Sequence, residues 1–281
     1  MFDMSIDHAF PVELQPIFDT NNNRIEGSSC VMRTDTNQVL GVHGSRYHMV
    51  THDDVVNSVL DGVKKANLST DYKVNVHVIE NGRKLRGEIL FNDLVVEPKV
   101  GDYIKFRISF FNSYDASWSF SQAADGLRLW CLNGCTTPDN VAHSRFKHTQ
   151  SISVDGSAAK IVNGLQHFIY QKDVWADWMC HSVSDRFVEN FFKKTVAKSP
   201  SQQKLVTKTN EKQLERLLKI YSDEKQSLGG NKWALYNALT YWASHTKDTR
   251  NPEGTRYMRE QAIASAMRHK LWDEIELEGV F

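Results

Sequence analysis

The sequence predicts an α+β fold, an antiparallel β-meander or twisted sheet packed with C-terminal α-helices, and three observations carry it. Tyr72–Glu80 alternates apolar and polar residues, and Tyr103–Asn112, Trp118–Ala123 and Leu127–Asn133 follow as apolar strand-like runs. Asn81-Gly82, Asp125-Gly126 and Asn133-Gly134 punctuate those runs as tight turns would. From Ser157 onward the apolar spacing lengthens to that of helices.

Four stretches follow in order. Residues 1–38, with Pro11, Pro16 and the polar run Asn21-Asn-Asn-Arg24, read as an irregular N-terminal arm. Residues 39–150 read as mostly β with one helix. That helix begins at Thr51-His-Asp-Asp54, which has the form of a capping box, and Val55, Val56, Val59, Leu60 and Val63 continue it to Lys65. His52, Asp53 and Asp54 suit a cap and first-turn acids better than a metal site. Residues 151–271 read as helical: an aromatic stripe from Ile161 to Phe192 with a break near His181-Ser182, then a basic linker around Ser199-Pro-Ser201. Beyond it come a helix ending at Gly229-Gly230, a helix capped by Asn231, a loop over Thr246–Thr255 and a helix over Arg256–Leu271. Residues 272–281 read as an acidic tail ending on Phe281.

Composition narrows the function classes. Apolar residues make up 41% and charged residues 24%, and the formal net charge is zero, so any anion site must be a local patch. The opening lacks the cationic and apolar regions of a signal peptide, and no run approaches the roughly 18 apolar residues of a membrane span. The four cysteines sit in a chain large enough to fold without disulfides, so a cytoplasmic location and no membrane partner are expected. Cys131, Cys135, His143 and His148 carry zinc-ligand chemistry at a spacing that fits no standard finger. A phosphate-cradling glycine loop, a nucleophile elbow and a His-Glu-x-x-His pair are missing from the sequence, so neither an enzyme nor a cofactor is expected.

Rings and cations alternate through the central meander, and the basic stretch His143-Ser-Arg-Phe-Lys-His148 follows it as a loop. That pattern suits a single-stranded polyanion, whose bases stack on rings while its phosphates meet cations. The candidate rings are Tyr114, Trp118 and Phe146; the candidate cations are Arg83, Lys84, Arg86, Arg145, Lys147, Lys193, Lys194 and Lys198. Arg107 and Arg128 are alternatively internal, paired with Asp115 or Asp125. Asp102, Asp115 and Asp125 read as turn residues. The competing class is a protein-interaction or inhibitor module acting on a host or viral polymerase through the C-terminal helices and tail; a metal-dependent nuclease is a third.

Asn112-Ser-Tyr-Asp-Ala-Ser117, Leu127-Arg-Leu-Trp-Cys-Leu-Asn-Gly134 with Arg145-Phe-Lys-His-Thr149, and Trp233-Ala-Leu-Tyr-Asn-Ala-Leu-Thr240 occur in that order. Together they resemble a family of phage- and plasmid-encoded proteins known only as a domain of unknown function. The chain's size and acidic end are also similar to a single-stranded-DNA-binding RNA polymerase cofactor of lytic podoviruses. The resemblance implies a sheet-and-helix fold that is not a standard oligonucleotide-binding barrel, with single-stranded DNA and a phage RNA polymerase as partners. Cys135, after Asn133-Gly134, departs from the family pattern.

Overall fold

The computed structural model describes residues 7–128, 133–135, 143–146, 154–197, 208–245 and 251–278, with side chains for 7–128, 160–197, 211–245 and 251–275. Two antiparallel sheets and seven helices are described, with no closed barrel. β1 (Val12–Phe18), β2 (Arg24–Arg33) and β3 (Gln38–Gly44) form a three-stranded sheet in that order. Helix α1 (His52–Ala66) follows. β4 (Tyr72–Ile79), β5 (Lys84–Lys99), β6 (Asp102–Ser113), β7 (Phe120–Arg128) and β8 (Asn133–Cys135) then make the path of a six-stranded sheet, and β9 (His143–Phe146) pairs with β7. The helices α2 (Val154–Trp178), α3 (Asp185–Lys194), α4 (Lys208–Leu228), α5 (Lys232–Ser244), α6 (Pro252–Met267) and α7 (Lys270–Glu278) complete the chain.

The chain divides into two compact units assembled from separated stretches. The first comprises Met1–Leu94, Phe106–Ala124 and Asn140–His167; the second comprises Val95–Lys105, Asp125–Asp139 and Phe168–Phe281. β5, β6 and β7 each give residues to both units, so these units do not follow the sequential stretches bounded at residues 38, 150 and 271.

In the first unit, α1 is capped as expected. The Thr51 side chain accepts from the Asp54 peptide N–H and Asp54 reaches back to the Thr51 N–H, while Val55, Val56, Val59 and Val63 are buried. The residues before 38 are corrected from an irregular arm to two strands. Pro16 opposes Ser29 and Phe18 opposes Arg24, and the register shifts between them; a second shift falls between Val31 and Met32. Such bulges hide the period of two from a sequence reading. Phe10, Val31, Leu40 and Tyr114 form a buried cluster under this sheet. The β4–β5 hairpin turns through Glu80, Asn81, Gly82 and Arg83, because Ile79 opposes Lys84. Glu80, Asn81 and Gly82 have φ of 53°, 56° and 96°, a run that suits glycine and asparagine.

In the second unit, aromatic residues form the core, as the helical stripe implied. Trp178 meets Tyr236 at 5.2 Å and Trp272 at 5.3 Å, and Trp175 meets Trp233 at 5.8 Å, ring centre to ring centre. The break between α2 and α3 falls where expected, with Ser184 capping α3. Asn231 caps α5. Three readings are corrected. Asp125-Gly126 is not a turn but lies inside β7. A Cβ on Gly126 would come within 2.6 Å of Ile104, so the glycine is there to let side chains close over the strand. Asn251-Pro252 opens α6, with Asn251 as cap and Pro252 in the first turn, where a missing N–H costs nothing. The acidic end is helix α7 as far as Glu278, anchored by buried Leu271, Trp272 and Ile275. The described helices include none long and apolar enough to cross a membrane.

Candidate nucleic-acid interface

Within the first unit, the stretch Asn112–Ser117 ties itself into a turn. The Ser113 hydroxyl donates to the Trp118 carbonyl and accepts from the Trp118 N–H, at 2.9 and 3.0 Å. Asp115 accepts from the Ser117 N–H at 2.9 Å, and Ala116 takes a φ of 56°. Burial alone would raise the Asp115 carboxyl. The hydrogen bonds from Ser117 and Ser113, with the Lys84 charge, hold it below its ordinary value instead.

Around that turn lies a buried polar network. His52, fully buried, donates from Nε2 to the Gly82 carbonyl at 3.1 Å, which leaves Nδ1 to accept from the Asn112 amide at 3.1 Å. The His52 peptide N–H donates to the Tyr114 hydroxyl at 2.8 Å. His43 donates to the Tyr114 carbonyl at 2.6 Å, and the Tyr114 N–H donates to the Arg83 carbonyl at 2.8 Å. Burial pushes the Tyr114 hydroxyl well above the usual tyrosine value.

The expectation that Tyr114 and Trp118 are loop rings free to stack on bases is therefore corrected. They are 0% and 6% exposed: Tyr114 packs with Phe10, Val31 and Leu40 under the three-stranded sheet, and Trp118 meets Phe111 edge to face, ring centres 5.9 Å apart. Arg86, at 1% exposure, lies with its guanidinium 5.9 Å from the Phe111 ring centre. Lys84 is 14% exposed, 2.9 Å from Glu80 and 4.0 Å from Asp115, with its ammonium 5.2 Å from the Trp118 ring centre. Of the expected cations on this hairpin, Arg83 is exposed.

The second unit has a charged counterpart. Arg128 donates to Asp102 at 2.5 Å, to Glu224 at 3.2 Å and to Asn237 at 3.0 Å, all buried. Asp102 also accepts from the Trp233 indole at 3.2 Å, and the Arg128 guanidinium lies 5.7 Å from the Trp233 ring centre. Arg128 is thus internal, with Asp102 and Glu224 as ion-pair partners. Asp102 is a buried ion-pair partner rather than a turn residue. In the first unit Arg107 is also buried and meets Glu88 at 3.5 Å. Lys193 and Lys194 are exposed at the end of α3, with Lys193 bonded to Glu189 one turn back. The expected loop at residues 143–146 is strand β9, with Arg145 opposite Ser121 and Phe146 opposite Phe120. The side chains of Arg145 and Phe146, all of Lys147 and Lys198, and the side chains of Cys131, Cys135, His143 and His148 lie outside the described residues.

Sequence reasoning missed two places where an exposed ring and a cation share a hairpin. In the first unit Phe18, half exposed, sits directly across from exposed Arg24 near the β1–β2 turn. Opposed residues of an antiparallel pair project to one face about 5 Å apart. In the second unit Tyr103 is 46% exposed and stands two residues from Lys105 on one strand face; exposed Lys99 and Val100 precede the turn. The signal available in the sequence was a ring beside a cation on either side of a polar or glycine turn.

The geometry defines an α+β protein with two antiparallel sheets, in which motif residues build two buried polar clusters. The chain belongs to the family described as Domain of unknown function (DUF932), matched over residues 39–265. Asn112–Ser117, Arg128 and Asn237 all fall within that span, whereas the Phe18–Arg24 hairpin precedes it. Neither a curated protein nor a solved structure matches the chain.

Proposed function

We propose that this protein is a non-catalytic single-stranded-DNA-binding protein of a bacteriophage, acting in the host cytoplasm. It binds with little sequence preference and recruits a phage RNA polymerase to melted promoters. The observation that carries the reading is the exposed Tyr103 sharing a strand face with Lys105 beyond exposed Lys99. Phe18 with Arg24, Arg83 and the Lys193-Lys194 pair offer further rings and cations. The polymerase and the phage setting are supported by the resemblance to Drc, the single-stranded-DNA-binding cofactor of lytic podoviruses.

Titration of a fluorescent single-stranded oligonucleotide, with the matching duplex as control, at two salt concentrations tests the reading. Tighter single-strand binding that falls with salt is expected. Tyr103→Ala should weaken it by about 1–3 kcal/mol, the worth of one base stacked on one ring. Absence of binding to either form at low salt would overturn the proposal.

A further inference from the structure

The C-terminal end of α5, in the second unit, carries two arginines from two other helices. Arg216 of α4 donates from Nη2 to the His245 carbonyl at 3.2 Å. Arg259 of α6 donates from Nη1 to the Trp242 carbonyl at 2.6 Å, with its guanidinium 4.7 Å from the Trp242 ring centre. His245 closes the helix, stacked on Tyr241 with ring centres 3.7 Å apart and with Nδ1 donating to the Tyr241 carbonyl.

Capping explains part of this arrangement. A helix C-terminus presents about half a negative charge, and a single cation more than neutralises it. Two guanidiniums leave an excess of roughly one and a half positive charges. Among the described residues neither arginine is held by a carboxylate. Burial, with the like charge of Arg216 added, lowers the Arg259 guanidinium to about 10. That value still leaves it protonated at neutral pH. The two arginines repel one another, no described acid relieves them, and each keeps most of its roughly five N–H donors.

We propose that Arg216 and Arg259 form a phosphate-oxyanion site, fixed in place by the terminal carbonyls of α5 and by the Trp242 ring. A phosphate group would accept from both forks, relieving the repulsion, and planar guanidinium forks match its oxygens better than lysine ammoniums do. The phosphate belongs either to a nucleic-acid backbone, in which case the site rests on the DNA-binding reading, or to a free phosphate compound.

The full-length protein and its Arg216→Gln and Arg259→Lys variants would be melted in sodium phosphate and in sodium chloride of equal ionic strength. The same proteins would be titrated with the fluorescent oligonucleotide over a range of salt. Arg216 is exposed, so Arg216→Gln should melt with the wild type in chloride. In phosphate the wild type should gain melting temperature over both variants; a general salting-out effect would raise all three alike. If the ligand is a nucleic-acid backbone, Arg216→Gln should also weaken oligonucleotide binding several-fold and lower the salt slope by about one. A phosphate-specific gain with unchanged oligonucleotide binding assigns the site to free phosphate. Equal gains in all three proteins, with unchanged oligonucleotide binding, would overturn the site. A wild type that binds no oligonucleotide removes the DNA-binding reading and leaves the melting comparison to decide the site alone.

Discussion

The two units solve the same problem with opposite chemistry. Each buries a motif-bearing polar cluster, but the first uses neutral groups, His52, Asn112 and Tyr114, joined by hydrogen bonds to each other and to backbone. The second uses charge, with Arg128 between Asp102 and Glu224. A neutral network costs little to bury once its donors and acceptors are matched. A buried ion triad is held against a desolvation penalty of several kcal/mol per ion and is secure only while complete. The difference teaches that similar-looking polar motifs in one chain fail in different ways when damaged.

Arg128→Met should separate the two most sharply. It strands two buried carboxylates, and a loss of roughly 3–5 kcal/mol is expected in denaturant unfolding. A loss below about 1 kcal/mol would show that the cluster is not held by its charges.

The close-packed glycines should rank next. A Cβ on Gly41 would stand 2.2 Å from the Tyr114 carbonyl oxygen, whereas one on Gly126 meets the Cγ2 methyl of Ile104 at 2.6 Å. Backbone yields less than a side chain, so Gly41→Ala should lie toward the upper end of roughly 1–3 kcal/mol and Gly126→Ala toward the lower. The reverse order in thermal melts would contradict the packing.

Tyr114→Phe leaves the His52 peptide N–H without its acceptor and should cost roughly 1–2 kcal/mol, unchanged between about pH 5 and 8. A pH-dependent loss would mean that charge enters the neutral network after all.

Alkali probes both units most gently. Burial raises Tyr47 and Tyr114 in the first unit well above their ordinary value, and Tyr221 in the second to about 12. A folded-state value above the unfolded one of about 10 leaves stability complete below pH 10 and removes it as pH climbs through the folded value. Stability should therefore decline above about pH 10, less steeply in Tyr114→Phe than in the wild type. Equal alkaline declines would place the sensitivity elsewhere.

These clusters show why the fold was more legible than the site. Helix α1, the β4–β5 hairpin, the break after α2 and the Asn231 cap follow from local rules of spacing and capping, which the residues obey. The misread elements break those local rules. Gly126 is there for Ile104, Phe168 and Trp175 to approach, and Pro16 lies beside a register shift in its hairpin strand, which interrupts the period of two. The ring-and-cation alternation of the meander is real, but alternation does not reveal burial, and Tyr114 and Trp118 are covered where the pattern alone suggests surface rings. Exposed Phe18 and Tyr103 stand near hairpin ends, where no periodic signal marks them.

The β4–β5 turn has a further consequence for Arg83. The carbonyl of Gly82 is held by His52 and that of Arg83 by the Tyr114 N–H, so the backbone beneath this exposed side chain is already immobilised. A ligand contacting Arg83 orders a side chain and no loop, and the entropic penalty of that contact is confined to the rotamers of one arginine.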